Sequence, residues 1–169
     1  SYYLSIPNIE LAATNFRQHF VVAGPQSSEE KLLQELESAS AIYLKLPIEY
    51  GFHSGAIESV IEPTKSALAS INFQLPKIPV VSCTTKSYLD FVDSIHFTKI
   101  LRGSLYFQET IEFLENNGQY IYLDIGPADT LSTFVKYNIE PHSSSQIIST
   151  LRLSKDSYNK NNLRADLEK

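Results

Sequence analysis

The chain has 169 residues, enough for one domain with a core or for two small subdomains that share one. Its formal net charge is −5 at pH 7, and its Lys and Arg residues are scattered, which argues against a nucleic-acid-binding surface. The single cysteine, Cys83, excludes an internal disulfide and a multi-cysteine zinc site, and no apolar run is long enough to cross a bilayer. We therefore expect a cytoplasmic protein that binds no metal, no nucleic acid and no membrane.

The first third of the chain has the pattern of a small mixed sheet. The sequence predicts strands at 9–14 and 19–23, a helix at 28–38 and a third strand at 41–46. Strand, strand, helix, strand is most of a ferredoxin-like unit, without its opening strand and helix. Residues 1–48 are therefore predicted to be an incomplete ferredoxin-like subdomain, with its three strands in one antiparallel sheet.

The rest of the chain alternates helices with short apolar strands. The predicted elements are a helix at 56–70, a strand at 78–82, helices near 87–101 and 105–116, a strand at 120–126 and a helix near 129–137. Both strands lack alternation, as in parallel strands buried on two faces, so 78–82 and 120–125 are expected in one parallel sheet. Residues 49–141 are predicted to be part of an α/β core, and the Ser-, Asn- and Lys-rich residues 142–169 a linker or tail.

One of the four histidines, His53, lies between a predicted strand and a predicted helix, in the sequence Y-G-F-H-S-G. Glycines on both sides, Gly51 and Gly55, would let the backbone turn tightly and present the ring. An imidazole in such a place suits a general base, because the ordinary pKa of imidazole is near neutrality. A loop histidine without a chemical role is the alternative, and the loop considered alone favours that alternative.

Five segments occur here in the order found in one protein family: IELAATNFRQHFVVAGP, IYLKLPIEYGFHS, IPVVS, LRGSLYF and YIYLDIGPADTLSTFVKY. Over roughly residues 8–141 the chain resembles the acyltransferases that load acyl carrier proteins in polyketide and fatty-acid synthesis. The resemblance implies an α/β-hydrolase-like core holding a ferredoxin-like subdomain. It also implies a serine–histidine dyad and no cofactor, since acyl-CoA and a phosphopantetheinyl carrier protein are the substrates.

His53 matches the catalytic histidine of that family. The family orients this ring by a backbone carbonyl, and the matching stretch here is Ser104, Leu105 and Tyr106. The family's nucleophilic serine lies in a G-x-S-x-G turn, which this sequence lacks. Because the chain also begins with serine and contains no Met, we expect the N-terminal half of the acyltransferase to lie on another segment and this chain alone to be inactive.

The resemblance also implies residues of the acyl pocket. Asn15 matches a pocket-lining asparagine, with a simple turn residue as an equally good alternative. Phe52 matches an aromatic residue of members that select malonyl units, where a ring would exclude a methyl branch. Gly51 stands where many relatives have alanine. Asp124 is interpreted as a cap of the loop that follows its strand, with no chemical role.

The function predicted from these residues is transfer of a malonyl or other short acyl group from CoA to an acyl carrier protein in polyketide biosynthesis. Two alternatives stay open. One is a thioester hydrolase of the same fold that discharges stalled carrier proteins, and the other is a non-catalytic half that only binds the carrier protein. Arg102 and Lys99 are candidates for contact with the acidic carrier, although an ordinary solvated face is the better interpretation of both.

Overall fold

The structure is a computed structural model that describes residues 5–151. The chain divides into two compact units, which we call unit 1, ending at Phe107, and unit 2, beginning at Gln108. In chain order the elements are β1 (Glu10–Phe16), β2 (His19–Ala23), α1 (Glu29–Ser38), α2 (Glu58–Leu68), β3 (Val81–Ser82), β4 (Ser87–Tyr88), α3 (Ser94–Arg102), β5 (Leu105–Tyr106), α4 (Phe107–Asn117), β6 (Ile121–Pro127), α5 (Thr130–Asn138) and β7 (Gln146–Leu151).

Strand β1 is the centre of unit 1. It pairs antiparallel with β2 and parallel with β5, which gives the strand order β2-β1-β5. Ala12 and Ala13 of β1 are buried together with Ile6, Ile9 and Ile57, and these small and branched side chains form the core of unit 1. The predicted strands 9–14 and 19–23 are confirmed, as is the helix 28–38, which is α1.

The predicted third strand, at 41–46, is wrong. Residues 41–46 form no strand, and Ile42 and Leu44 have exposed fractions of 105% and 82%. A strand needs a neighbour for its backbone hydrogen bonds, and the place beside β1 opposite β2, which a third strand of the predicted unit would take, is occupied by β5. The apolar composition of this segment gave the β propensity, but propensity without a partner strand does not make a ladder.

The predicted strand at 78–82 is reduced to β3. It pairs antiparallel with β4 in a two-stranded hairpin, and the described residues place it in a different sheet from β6. The expectation of one parallel sheet for 78–82 and 120–125 is therefore wrong. The turn decides the outcome locally: Lys86 has a φ of 58° and donates its backbone N–H to the carbonyl of Ser82, which closes the hairpin.

Helix α3 is shorter than its predicted range of 87–101. The first residues of that range form β4, and the helix begins after Asp93, whose side chain accepts a hydrogen bond from the backbone N–H of His96 (2.7 Å). None of the helices described within residues 5–151 is long and apolar enough to span a membrane.

Unit 2 contains a β-α-β crossover. β6 and β7 are parallel, with Ile121 to Asp124 opposite Gln146 to Ser149, and α5 connects them. Ile111, Val135 and Ile148 are its buried apolar residues. The linker expected from 142 onward therefore contains a strand, and its residues 152–169 lie outside the described residues. The division of the chain at 107/108 differs from the predicted subdomain boundary at 48/49, which stays a prediction.

The fold class predicted from the sequence, α/β, is confirmed by parallel strand pairs connected through helices. The described residues form three small sheets and no single large one. Because each unit has its own small core, the site in unit 1 can be described by itself.

Candidate functional site

The backbone of the histidine loop turns at the histidine itself. His53 has a φ of 63°, whereas no glycine of the described residues has a positive φ. The expectation that the flanking glycines would make the turn is therefore wrong. A side chain other than glycine in the left-handed region costs about 1–3 kcal/mol and persists only where the surroundings fix it. Here the His53 backbone N–H is fixed by donation to the carbonyl of Leu101 (2.8 Å).

The ring of His53 is oriented by a backbone carbonyl. Its Nδ1 lies 2.7 Å from the carbonyl oxygen of Ile100. A carbonyl can only accept, so Nδ1 carries the ring proton, and the lone pair of the neutral ring is on Nε2. The His53 residue is half-buried, so part of it is exposed to solvent. This is the tautomer that a general base requires when a backbone carbonyl supports it.

These two carbonyls belong to the last turn of α3. The last four carbonyls of a helix have no partner within it, and one of them, that of Lys99, accepts from Gly103 (2.7 Å). The carbonyls of Ile100 and Leu101 accept instead from the ring and the backbone of His53. The histidine loop is thus the cap of α3, and the helix in turn fixes the histidine.

The carbonyl expected to orient the ring, within Ser104, Leu105 and Tyr106, is not the one that does so. These three residues form hydrogen bonds within the sheet of unit 1 instead. The hydroxyl of Ser104 donates to the carbonyl of Leu11 (2.5 Å), and β5 pairs with β1. The type of partner was predicted correctly, but the segment was displaced by a few residues. The helical turn before Gly103 presents unpaired carbonyls, whereas β5 uses its own in pairing.

Ser54 fixes the far side of the loop. It is buried, with an exposed fraction of 1%, and its hydroxyl donates to the carbonyl of Gly51 (2.7 Å) and accepts from the backbone N–H of Ala56 (3.3 Å). It caps the 3₁₀ turn Gly55–Ile57 that leads into α2. A Cβ added to Gly51 would lie 2.9 Å from the Cβ of Ala56 and 3.1 Å from the Ser54 hydroxyl. Gly51, predicted as a pocket residue, is therefore required here by close packing.

Phe52 lies next to the histidine on the surface of unit 1. It has an exposed fraction of 43%, and its ring meets that of Tyr50 edge to face with 6.4 Å between centroids. A large apolar ring beside the presented imidazole is the arrangement expected of a residue that limits the acyl group. Its role in selection stays a prediction.

Asn15 lies near the turn between β1 and β2. Its side-chain nitrogen is 2.8 Å from Nδ1 of His19. This contact with the residue at the start of β2 supports the turn interpretation. The proposed pocket role of Asn15 stays a prediction.

Sequence reasoning missed a network of charged groups behind the loop. Arg102 donates from Nε to Glu58 (2.7 Å) and from Nη1 to Glu10 (3.1 Å), and the second oxygen of Glu10 accepts the backbone N–H of Gly55 (2.8 Å). The hydrogen bond to Glu58 raises the pKa of Arg102 above its ordinary value, against a smaller opposing effect of burial. The partners are separated by 92 and 44 residues in the sequence, so no local pattern could indicate them.

The fold is that of α/β acyltransferases. The malonyl CoA-acyl carrier protein transacylase from Clostridium perfringens superimposes over 99% of this chain and 50% of its own, with a TM-score of 0.80 and 20% identity. The acyl transferase domain of SpnD, solved in complex with 2-(pent-4-yn-1-yl)malonyl, superimposes over 91% of this chain and 39% of its own, with a TM-score of 0.84 and 22% identity. No family model matches the sequence.

The chain is a homologue of the polyketide biosynthesis acyltransferases. It is 35% identical over 148 residues to the polyketide biosynthesis acyltransferase homolog PksD of Bacillus subtilis (strain 168), covering 85% of this chain. It is 30% identical over 138 residues to the homolog BaeD of Bacillus velezensis (strain DSM 23117 / BGSC 10A6 / LMG 26770 / FZB42), covering 82%. The chain spans 44% and 43% of the lengths of these two relatives. The resemblance predicted from the sequence is thereby confirmed.

Proposed function

We propose that this chain supplies the general base of an acyltransferase of polyketide biosynthesis, and that His53 is that base. The observation that carries the proposal is the contact between Nδ1 of His53 and the carbonyl of Ile100, which leaves the lone pair on Nε2. A ring held in this tautomer at a strained backbone position is costly to build for packing alone.

The reaction proceeds in two halves. In the first, a serine hydroxyl attacks the thioester carbonyl of the acyl-CoA while Nε2 of His53 takes the hydroxyl proton. The C–S bond then breaks, the proton passes from Nε2 to the CoA thiolate, and the acyl group is left as a serine ester. In the second half the thiol of the carrier's phosphopantetheine gives its proton to Nε2 and attacks the ester carbonyl. The bond between the serine oxygen and the acyl carbon then breaks, the proton passes from Nε2 to the serine oxygen, and the acyl group is left as a thioester on the carrier. Nδ1–H stays bonded to Ile100 throughout, and no cofactor takes part.

The serine belongs to a partner segment that covers the apolar surface of unit 1. Apolar side chains of residues 42–50 are exposed, among them Leu44 at 82%, Ile48 at 56% and Tyr50 at 66%; Leu75 and Ile78 of the same unit are exposed at 67% and 75%. Exposure of so many large apolar side chains within one short stretch of sequence supports a surface that another segment covers. The relatives are more than twice as long as the matched region, so they contain the length of chain that such a segment requires.

The test combines this chain with the segment that supplies the serine, for which the corresponding part of PksD can be used. Acylation is measured by mass spectrometry after brief exposure to malonyl-CoA. Without the partner segment we expect no acyl-enzyme, since His53 alone cannot hold a serine ester. With it, His53→Ala should slow acylation by roughly 10²–10⁴-fold, the usual contribution of a general base.

The matched control is His142→Ala, which removes an exposed histidine of unit 2 and should acylate at the unmodified rate. Acylation of His53→Ala at that rate would contradict the proposal. Hydrolysis of the thioester of an acylated carrier protein to the free acid, without acylation by malonyl-CoA, would favour the hydrolase alternative over transfer. Carrier binding without either reaction would favour the non-catalytic alternative.

We also propose that Phe52 makes the acyltransferase select malonyl groups. A methyl branch at C2 would meet the exposed ring beside His53, and one methyl group is worth about 1–3 kcal/mol of discrimination. Phe52→Ser should lower the preference for malonyl-CoA over methylmalonyl-CoA by about 10-fold or more, measured by competition for the acyl-enzyme. Phe91→Ser, which changes another exposed phenylalanine of unit 1, is the control; an unchanged preference in Phe52→Ser would remove Phe52 from the pocket.

A further inference from the structure

A single arginine joins the three elements that surround the histidine loop. Arg102 is the last residue of α3, Glu10 is the first residue of β1, and Glu58 is the first residue of α2. Nη1 of Arg102 lies 3.1 Å from Glu10, and Nε lies 2.7 Å from Glu58.

This arginine network reaches both sides of His53. On one side, Arg102 ends the helical turn whose Ile100 and Leu101 carbonyls hold the ring and the backbone of His53. On the other side, Glu10 accepts the backbone N–H of Gly55, two residues after the histidine. The close fit is visible at Gly55, where an added Cβ would lie 2.7 Å from the Glu10 carboxylate oxygen.

We propose that Arg102 is a positioning residue for His53: it holds the last turn of α3 against the histidine loop, and thereby fixes the ring with its proton on Nδ1. The last turn of a helix is where its backbone opens most readily, and here it must supply two acceptors at once. His53 also occupies the left-handed region, which persists only where neighbouring contacts fix it. A planar guanidinium that bridges two carboxylates, with one N–H donated to each, provides such a constraint, whereas a lysine would provide a point charge.

The position of the network argues against a role in global stability. The side chains of Arg102, Glu10 and Glu58 have exposed fractions of 37%, 44% and 69%. Ion pairs this exposed contribute little to the free energy of unfolding. The constraint they provide is therefore local, on the geometry between α3 and the loop, and the readout must be local as well.

The first test reads the tautomer of His53 by long-range ¹H–¹⁵N correlation in the ¹⁵N-labelled chain, at about pH 8, above the ordinary pKa of imidazole. The unmodified chain should show the proton on Nδ1. Arg102→Gln should lose this preference and give a ring that samples both tautomers, and Arg102→Lys should retain part of it. Lys65→Gln, which breaks the exposed pair between Lys65 and Glu62 on α2, is the control and should leave the tautomer unchanged.

A second variant guards against loss of folding. Glu58→Gln removes only the most exposed link of the network, so it should fold and show a partial loss of the Nδ1 proton. If Arg102→Gln and Glu58→Gln both fold, judged by the amide spectrum, and both keep the unmodified tautomer, the proposal is wrong. If Arg102→Gln does not fold, the result with Glu58→Gln decides.

The activity test rests on the proposed function, because it needs His53 to be the base. With the serine-bearing segment present, Arg102→Gln should lower kcat by about 10–100-fold with little change in KM for the acyl-CoA, and Arg102→Lys should recover part of the rate. If His53→Ala has no effect while Arg102→Gln still changes the tautomer, the proposed function fails and the positioning role stands. If His53→Ala slows the reaction while Arg102→Gln changes neither rate nor tautomer, the positioning role fails alone.

Discussion

The two turns that lead from a strand or extended segment into a helix, one in each unit, are built with the same parts. In unit 1 the histidine loop has His53 in the left-handed region, and in unit 2 the turn between β6 and α5 has Ala128 and Asp129 there, with φ of 72° and 55°. In both, a carboxylate accepts backbone N–H groups of the turn. Glu10 accepts from Gly55 in the first, and Asp124 serves the second.

The two carboxylates differ in origin and environment. Asp124 lies on the strand that enters its own turn, is buried with an exposed fraction of 7%, and accepts from the backbone of Gly126 (2.9 Å) and Ser132 (2.8 Å). Glu10 lies on a strand 45 residues before Gly55, is half exposed and forms an ion pair with Arg102. The turn of unit 2 is therefore capped by a residue next to it in the sequence, whereas the turn that contains His53 is held by a distant residue.

The largest effect is expected in unit 2. Asp124→Ala leaves two backbone N–H groups without their acceptor, and a hydrogen bond to a charged group is worth about 1.5–3 kcal/mol, so the loss in free energy of unfolding should be about 3 kcal/mol or more. Asp124→Asn keeps an oxygen that can accept and should lose about half as much. Amide hydrogen exchange of α5 and β6 measures both.

The same variants define how local the cap is. Because Asp124 lies in unit 2 and caps only its own turn, Asp124→Ala should leave the tautomer of His53 as it is. If exchange in α5 were unchanged by Asp124→Ala, the interpretation of this residue as a cap would be wrong.

The next effect concerns the external carboxylate of unit 1. Gly55→Ala places a Cβ 2.7 Å from the Glu10 oxygen, so the end of the Glu10 side chain must move and its hydrogen bond to the backbone N–H of residue 55 weakens, at a cost of about 1 kcal/mol. Unlike Asp124→Ala, it should also disturb the His53 ring. Gly118→Ala is the matched control, since its added Cβ would meet nothing closer than 3.7 Å. Equal stability of the two glycine variants would show that Glu10 does not constrain the loop.

Local signals account for what the sequence predicted correctly. The strands β1, β2 and β6 and the helices α1, α4 and α5 were predicted from apolar runs and stop signals, and the cap role of Asp124 from its D-x-G spacing. These depend on neighbours within a few residues. The position of His53 in a loop was likewise predicted, although the turn was attributed to the flanking glycines and is made by His53 itself.

The remaining features depend on residues far apart in the chain. Strand β7 was missed because a six-residue run in a polar tail gives no sign of its parallel partner β6, 25 residues earlier. The segment 41–46 was predicted as a strand because apolar composition does not reveal whether a neighbour is present. The Arg102 network and the Ile100 carbonyl require α3, β1 and the loop to be assembled before they exist, so neither has a signature in the sequence.

The smallest expected effect is a pH dependence in unit 2, where a third carboxylate is held by side chains alone. Glu115 accepts hydrogen bonds from the hydroxyls of Ser143 (2.5 Å), Ser145 (2.8 Å) and Tyr122 (2.8 Å). Its burial raises the pKa, but the three hydrogen bonds together outweigh burial and hold the pKa of Glu115 below its ordinary value of 4.5. A carboxyl with a lowered folded pKa contributes stability above its unfolded pKa, and that contribution disappears as the pH falls through the folded pKa.

The unmodified chain should therefore be more stable than Glu115→Gln at pH 7, and the difference should close as the pH falls below about 4. Tyr122→Phe is the intermediate case, because it removes one of the three hydrogen-bond donors. In this variant the two remaining donors should hold the pKa of Glu115 less far below its ordinary value. Urea denaturation at a series of pH values, with amide exchange in β6 as a second measurement, gives the free energy of unfolding against pH for the unmodified chain and the two variants. A constant difference between the unmodified chain and Glu115→Gln across this range would mean that the Glu115 cluster stabilises unit 2 by packing and not by its charge.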